Sequence, residues 1–343
     1  VTVLEYVSLG NSGLKVSAIG LGTWVARRGN VDGEYLTQSV RRAYELGVNF
    51  FDTANEYNGG RSEELLGHAL RPFSRGSFVV ATKACLPVDE GPTNCGLSRK
   101  HLVEQVRASR KRLRVDTIDL LQCHDWDPGT PLEETCSAMS DLVRNGEIHY
   151  WGVSNWSASQ VAHAVEICRS SGWPAPISLQ SAYSLLDRDI EHATLPAVGK
   201  LGLGVMVWSP LAMGVLTGKY SRGVAPDDRA AIGDEFATDY LNIRLTPETL
   251  AVVDRIAALA DDLGCSLPQF ALAWCLRSQH VSSVLVGVSK VAHVVENVEA
   301  VNVELSDEVI LQTDAVLEGT GDSPSRYITG TSVVVDGGRS LAV

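Results

Sequence analysis

The stretch HYWGVSNWSASQVAHAVEICRSSGWPAPISLQSA, residues 149–182, holds two apolar runs separated by an amphipathic segment. His149–Ser154 and Ile177–Ala182 have strand length. Between them, Ser157–Arg169 sets Val161, Ala164, Val165 and Cys168 at i, i+3, i+4 and i+7, which is one face of a helix. Apolar strands joined by an amphipathic helix form a parallel sheet covered by helices.

The same unit repeats in both directions. Val16–Gly22, Asn49–Ala54, Phe78–Ala84, Thr117–Cys123, Gly204–Trp208 and Val281–Val288 bring the strand-length runs to eight. Lys100–Leu113 is a second clear helix, with Leu102, Val106 and Leu113 on one face and basic residues opposite. Eight such units over about 300 residues fit a closed (β/α)8 TIM barrel better than an open doubly wound sheet. Tyr6–Leu9 followed by Asn11-Ser12-Gly13 reads as a β-hairpin capping the base. The seventh and eighth runs are far apart in sequence, and 212–245 between them is rich in Gly, Asp and Arg. A long connection after a barrel strand lies on the catalytic face. The reading is therefore a barrel over 1–317, then a short extension, 318–343, of linker and β-prone tail.

Of 343 residues, 45% are hydrophobic and 20% charged, enough apolar surface for a large core. The net charge of −12 argues against nucleic acid or an anionic membrane as partner. No run reaches the roughly 18 apolar residues of a membrane span, and no signal-peptide pattern opens the chain. Seven scattered cysteines without a C-x-x-C point to a reducing, cytoplasmic setting.

In a barrel, polar residues at the C-terminal strand ends carry the chemistry. Asp52 ends NFFD, Lys83 ends VVATK and His124 ends LLQCH, while Tyr57 lies five residues past Asp52. A free tyrosine is too weak an acid near neutral pH. A neighbouring ammonium favours its phenolate, and a carboxylate beside that ammonium keeps it charged. A histidine can hydrogen-bond and orient a carbonyl oxygen. The set suits carbonyl reduction. His124-Asp125-Trp126-Asp127 is no metal site, because successive strand residues point to opposite faces. By the same alternation Cys123 turns away from the mouth.

GLGTW (20–24), FFDTANEY (50–57), ATK (81–83), GVSNW (152–156) and WSPLAMGVLTGKY (208–220) resemble the aldo-keto reductase superfamily. GLSRKHL (96–102), PLEET (131–135), LPQFALAWCLR (267–277) and VSSVLVGVS (281–289) resemble its branch of voltage-gated potassium-channel β-subunits and related bacterial aldehyde reductases. The resemblance covers about residues 5–317. It implies a barrel that binds NADPH (NADP+), with NADH as a second option, and passes a hydride to a small-molecule carbonyl substrate. Tyr57 is then the acid, Lys83 and Asp52 its tuners and His124 the orienter. Trp24, Tyr57 and Trp126 line the substrate pocket.

The resemblance also carries cofactor positions. Thr23 and Trp24 fall near the nicotinamide, Ser154, Asn155 and Gln180 at its carboxamide, and Trp208 on its ring. Ser209, Leu211, Lys219 and Arg229 go to the pyrophosphate, and Gly287, Ser289, His293, Glu296 and Asn297 to the adenosine end. Many members of the superfamily have Arg where this chain has His293, which loosens the preference for NADPH, although Lys290 can compensate. The channel subunits have Asn where this chain keeps His124, which sides it with the active enzymes. The alternatives are an NADP(H)-sensing regulatory subunit and an NAD-dependent sugar dehydrogenase. A homo-oligomer, tetramer or octamer, follows from the same likeness.

Substrate choice falls to loops 26–32, 85–96, 126–130 and 212–245, where Arg27, Arg28 and Asn30 suit an anionic or polyhydroxylated substrate. YITGTSVVVDGG (327–338) resembles the end of short-chain dehydrogenases. No Gly-rich TGxxxGxG and no YxxxK pair accompanies it, so it reads as a fused fragment or β-prone tail and not as a second site.

Overall fold

The computed structural model describes residues 4–24, 33–223, 235–287 and 290–318. Arg229, Ser289, the 26–32 loop and the 327–338 segment lie outside them. The strands are β1 (Tyr6–Ser8), β2 (Lys15–Ser17), β3 (Ile19–Gly22), β4 (Phe50–Asp52) and β5 (Val79–Ala84). They continue with β6 (Ile118–Cys123), β7 (Ile148–Ser154), β8 (Ser178–Ala182), β9 (Gly204–Trp208) and β10 (Val281–Val286). β3 to β10 form a closed barrel in sequence order, every neighbouring pair parallel, with β10 sealing against β3. The expected (β/α)8 architecture is present.

Helices α1 (Gly33–Glu45), α2 (Arg61–Leu70), α3 (Arg99–Leu113), α4 (Leu132–Arg144), α5 (Ala158–Ser170) and α6 (Thr194–Leu201) each follow one strand. Between β9 and β10 come α7 (Glu235–Arg244), α8 (Pro247–Asp262) and α9 (Leu267–Leu276), and then α10 (Val291–Glu299) and α11 (Asp307–Leu317). α5 starts where the sequence says it should. Ser157 accepts from the Gln160 amide while Gln160 reaches back to Ser157, a capping box. Val161, Ala164, Val165 and Cys168 are its buried residues. None of the described helices is long and apolar enough to cross a membrane.

One expected strand divides in two. Val16 and Ser17 belong to β2, which pairs antiparallel with β1 as the basal hairpin, and the barrel strand begins only at Ile19. Ala18 is the corner, its N–H going to Glu5 O and its carbonyl accepting from Val284 N. The hairpin turn plugs the base. Gly10 sits at φ +57°, and a Cβ there would stand 2.5 Å from Gly204 N, so only glycine fits.

Side-chain alternation sorts the barrel interior into layers. Phe50, Val79, Ala81, Leu120, Met206 and Leu285 form an inner apolar cluster with Leu9 and Val16 of the hairpin. Phe51, Val80, Leu121, Cys123 and Val153 face the helical shell. Cys123 thus points away from the mouth, as its place beside His124 required. All seven cysteines are free, and burial pushes the thiols of Cys85, Cys123 and Cys275 up, which leaves them as packing groups.

The 3-10 turn before α6 carries a separate anchor. Glu191 accepts from Tyr183 at 2.5 Å, Arg188 at 2.9 Å and Arg277 at 3.0 Å, tying the end of β8 to α9. Burial raises its carboxyl, but the Tyr183 bond and the two guanidinium groups outweigh that and hold it below the usual range. A carboxyl lowered in the folded state stabilises above its unfolded value and loses that contribution as pH falls through the folded one. Glu191→Gln is therefore expected to cost about 1–3 kcal/mol near neutrality. In urea titrations the gap to wild type should close on acidification. A gap constant from neutral to acid would refute the charge-based account.

Candidate active site

Period two along each strand builds the mouth. Asp52 stands two residues above Phe50, Lys83 above Ala81, Gln122 above Leu120 and Trp208 above Met206, so all four side chains share the inner face. Lys83 is fully buried and donates to Asp52 Oδ1 at 2.5 Å, to Thr53 O at 2.8 Å and to Tyr57 Oη at 3.4 Å. Asp52 Oδ2 accepts from Gln122 Nε2 at 3.2 Å and Gln180 Nε2 at 3.0 Å. A buried ammonium is tolerable only with such a set of partners. Outside the barrel wall, Thr82 donates to buried Glu63 on α2 at 2.5 Å, and Glu63 takes Arg112 of α3 at 2.6 Å, which fixes β5 from behind.

Tyr57 and His124 complete the group. Tyr57 is 8% exposed and its ring stands edge-on to His124 with centroids 5.7 Å apart. Of the four residues expected to act together, the structure brings together all four. Glu56, the residue before Tyr57, was missed: its Oε2 lies 3.4 Å from His124 Nδ1. Burial raises the Glu56 carboxyl, but His124 and then Lys83 overcome that and keep it below the usual range. Gln122 was missed as well, although its place in LLQCH, two before His124, carried the signal.

Around this centre stand the expected cofactor residues. Thr23 is buried and donates its backbone N–H to Asp52 O at 2.9 Å, and Trp24 follows it, half-buried. Ser154 ends β7, and Gln180 is the middle residue of β8. Asn155, at φ +61°, accepts from Trp208 Nε1 at 3.0 Å and reaches His124 O at 3.4 Å. Ser209, at φ +51°, and Leu211 open the turn beyond β9, and exposed Lys219 lies across Gly214 in that turn. Trp126 meets buried Trp156 edge to face at 4.9 Å.

At the far end the expected residues divide. Gly287 is exposed and His293 lies half-buried on α10. Glu296 accepts from Ser266 Oγ at 2.8 Å, and its carbonyl takes Gln269 Nε2 at 3.3 Å, so its carboxylate braces the start of α9. Asn297 is buried, 3% exposed.

The residues fit a nicotinamide dinucleotide. Amide and hydroxyl groups line the inner end, where Thr23 Oγ1 and Gln122 Oε1 are buried and have no hydrogen-bond partner among the described residues. Lys219 and Lys290 supply cationic character further out.

Over residues 18–318 the chain matches the aldo/keto reductase family. It is 40% identical over 330 residues to a protein of Oryza sativa subsp. japonica named probable voltage-gated potassium channel subunit beta, covering 94% of this chain and 100% of that one. An Arabidopsis thaliana protein of the same name is 38% identical over 329 residues, with coverage of 94% and 100%. With a family match running from the corner before the first barrel strand to the end of the last helix, and relatives aligned along their whole length, this chain belongs to the aldo/keto reductase family.

Proposed function

We propose that the protein is an NADP(H)-dependent reductase of aldehydes, ketones or sugar carbonyls. The observation that carries this reading is the buried chain Asp52–Lys83–Tyr57 with His124 against the tyrosine ring. When bound, the nicotinamide supplies the hydride. Tyr57 supplies the proton to the carbonyl oxygen. Lys83 favours the phenolate left behind, and Asp52, held by Gln122 and Gln180, keeps the Lys83 ammonium charged. Ser154, Asn155 and Trp208 would hold the nicotinamide end, with Lys219 on the pyrophosphate. His124 orients the carbonyl oxygen, and Trp24 and Trp126 exclude water from it.

The names of the two plant relatives favour a second reading, a regulatory subunit that senses NADP(H). One experiment separates the two. Tryptophan fluorescence is followed during titration with NADPH and then NADH, and the NADPH complex is mixed with a panel of aldehydes. Saturable quenching, NADPH preferred, with aldehyde-driven loss of nicotinamide absorbance is the expected result. Tight binding without oxidation by any aldehyde would favour the regulatory role. Binding of neither cofactor would overturn both.

A further inference from the structure

The reduction scheme above leaves one buried carboxylate of the mouth unused. Glu56 lies in the loop after β4, its side chain 9% exposed, with Oε2 3.4 Å from His124 Nδ1. Neither of those two atoms has a hydrogen-bond partner elsewhere among the described residues. The other charged or titratable groups around the pair are Lys83 from β5, already paired with Asp52 of β4, Tyr57 on the same loop and Asp125 beyond His124. Burial pushes the Asp125 carboxyl up, against the Trp126 amide and His124, so Glu56 is the stronger anion of the two facing His124.

A neutral imidazole carries one N–H, and the group facing the other nitrogen decides which. To donate to a carbonyl oxygen as a neutral orienter, His124 needs its proton on Nε2. That tautomer turns the bare Nδ1 lone pair toward the Glu56 carboxylate, which repels it. Two forms remain. The imidazolium keeps Nδ1–H on Glu56 and donates Nε2–H, whereas the neutral Nδ1–H form offers Nε2 only as an acceptor.

We propose that Glu56 is a positioning residue that makes His124 charge-dependent: as imidazolium it donates Nε2–H to a carbonyl oxygen, and as neutral imidazole, protonated on Nδ1, it cannot. The pair thereby confines carbonyl reduction to the acid side of its own titration. In reduction the proton that ends on the alcohol still comes from Tyr57, and His124 keeps its own throughout the step. This rests on the reading of the mouth as a carbonyl-reducing site.

The test compares wild type, Glu56→Gln and Glu56→Asp, with 4-nitrobenzaldehyde and NADPH as probes. In wild type, kcat/KM for reduction should fall by about tenfold per pH unit along an alkaline limb belonging to the pair. The side-chain amide introduced by Glu56→Gln can donate to Nδ1 and so permits the neutral Nε2–H form. The limb should then move to higher pH in that variant, where loss of the Tyr57 proton alone sets it, and Glu56→Asp should return it to the wild-type position. Independently of turnover, nitrogen NMR of the histidine-labelled full chain should find neutral His124 protonated on Nδ1 in wild type. Identical pH profiles in wild type and Glu56→Gln, or an Nε2-protonated neutral His124 in wild type, would overturn the proposal. If wild type reduces no carbonyl at all, the reductase reading fails instead, and the NMR result still decides whether Glu56 fixes the tautomer. Should Glu56→Gln fail to fold, the wild-type spectrum and the Glu56→Asp profile decide.

Discussion

Tyr57→Phe is expected to bind NADPH as wild type does and to lose about two to four orders of magnitude in the rate of carbonyl reduction, the scale of a general acid. The substitution removes one oxygen, the one that Lys83 reaches at 3.4 Å. It leaves the ring against His124 and the ion pair of Lys83 with Asp52 in place. Fold and cofactor affinity should therefore survive, so the loss falls on the chemical step. Single-turnover oxidation of bound NADPH by an aldehyde, beside a fluorescence titration, measures both quantities. Near-native turnover would remove Tyr57 from its role, and lost cofactor binding would make it a structural residue.

Lys83→Met should abolish turnover and also destabilise the barrel. The ammonium is fully buried with three oxygen partners, and its removal leaves the Asp52 carboxylate, 3% exposed, facing only two amide donors. Breaking a buried pair from one side costs about 3–5 kcal/mol, because a charge is left without compensation. Adding Asp52→Asn removes that charge. The double variant should regain much of the stability in urea titrations and none of the activity. Equal destabilisation of single and double variants would mean that Lys83 acts through packing, not charge.

The fold was legible because strand-length apolar runs and amphipathic helices alternate, and local sequence controls both. The expected strand that divides in two, Val16–Gly22, is apolar across a corner that only the partners of Ala18, at Glu5 and Val284, reveal. Asp52, Lys83 and His124 were legible for a similar reason: strand periodicity tells which way a side chain points. Glu56 was not, since it sits in irregular backbone where spacing carries no direction. Nor could the sequence show that Gln122 and Gln180, 70 and 128 residues from Asp52, share one oxygen of it. That contact exists only when the sheet has curved round on itself.

The wiring of the mouth also has a consequence for how the chain acquires its activity. Asp52, Lys83, Gln122 and Gln180 come from β4, β5, β6 and β8, and the seam that closes the barrel joins β3 to β10, the first of the eight strands to the last. Contacts of such sequence separation form late, after their loop-closure entropy has been overcome. Until that seam forms, Lys83 and Asp52 have no dry interior to share. The reactive centre is thus a property of the finished ring and of no fragment of it, and a nascent chain passes through synthesis chemically silent until its eighth strand arrives.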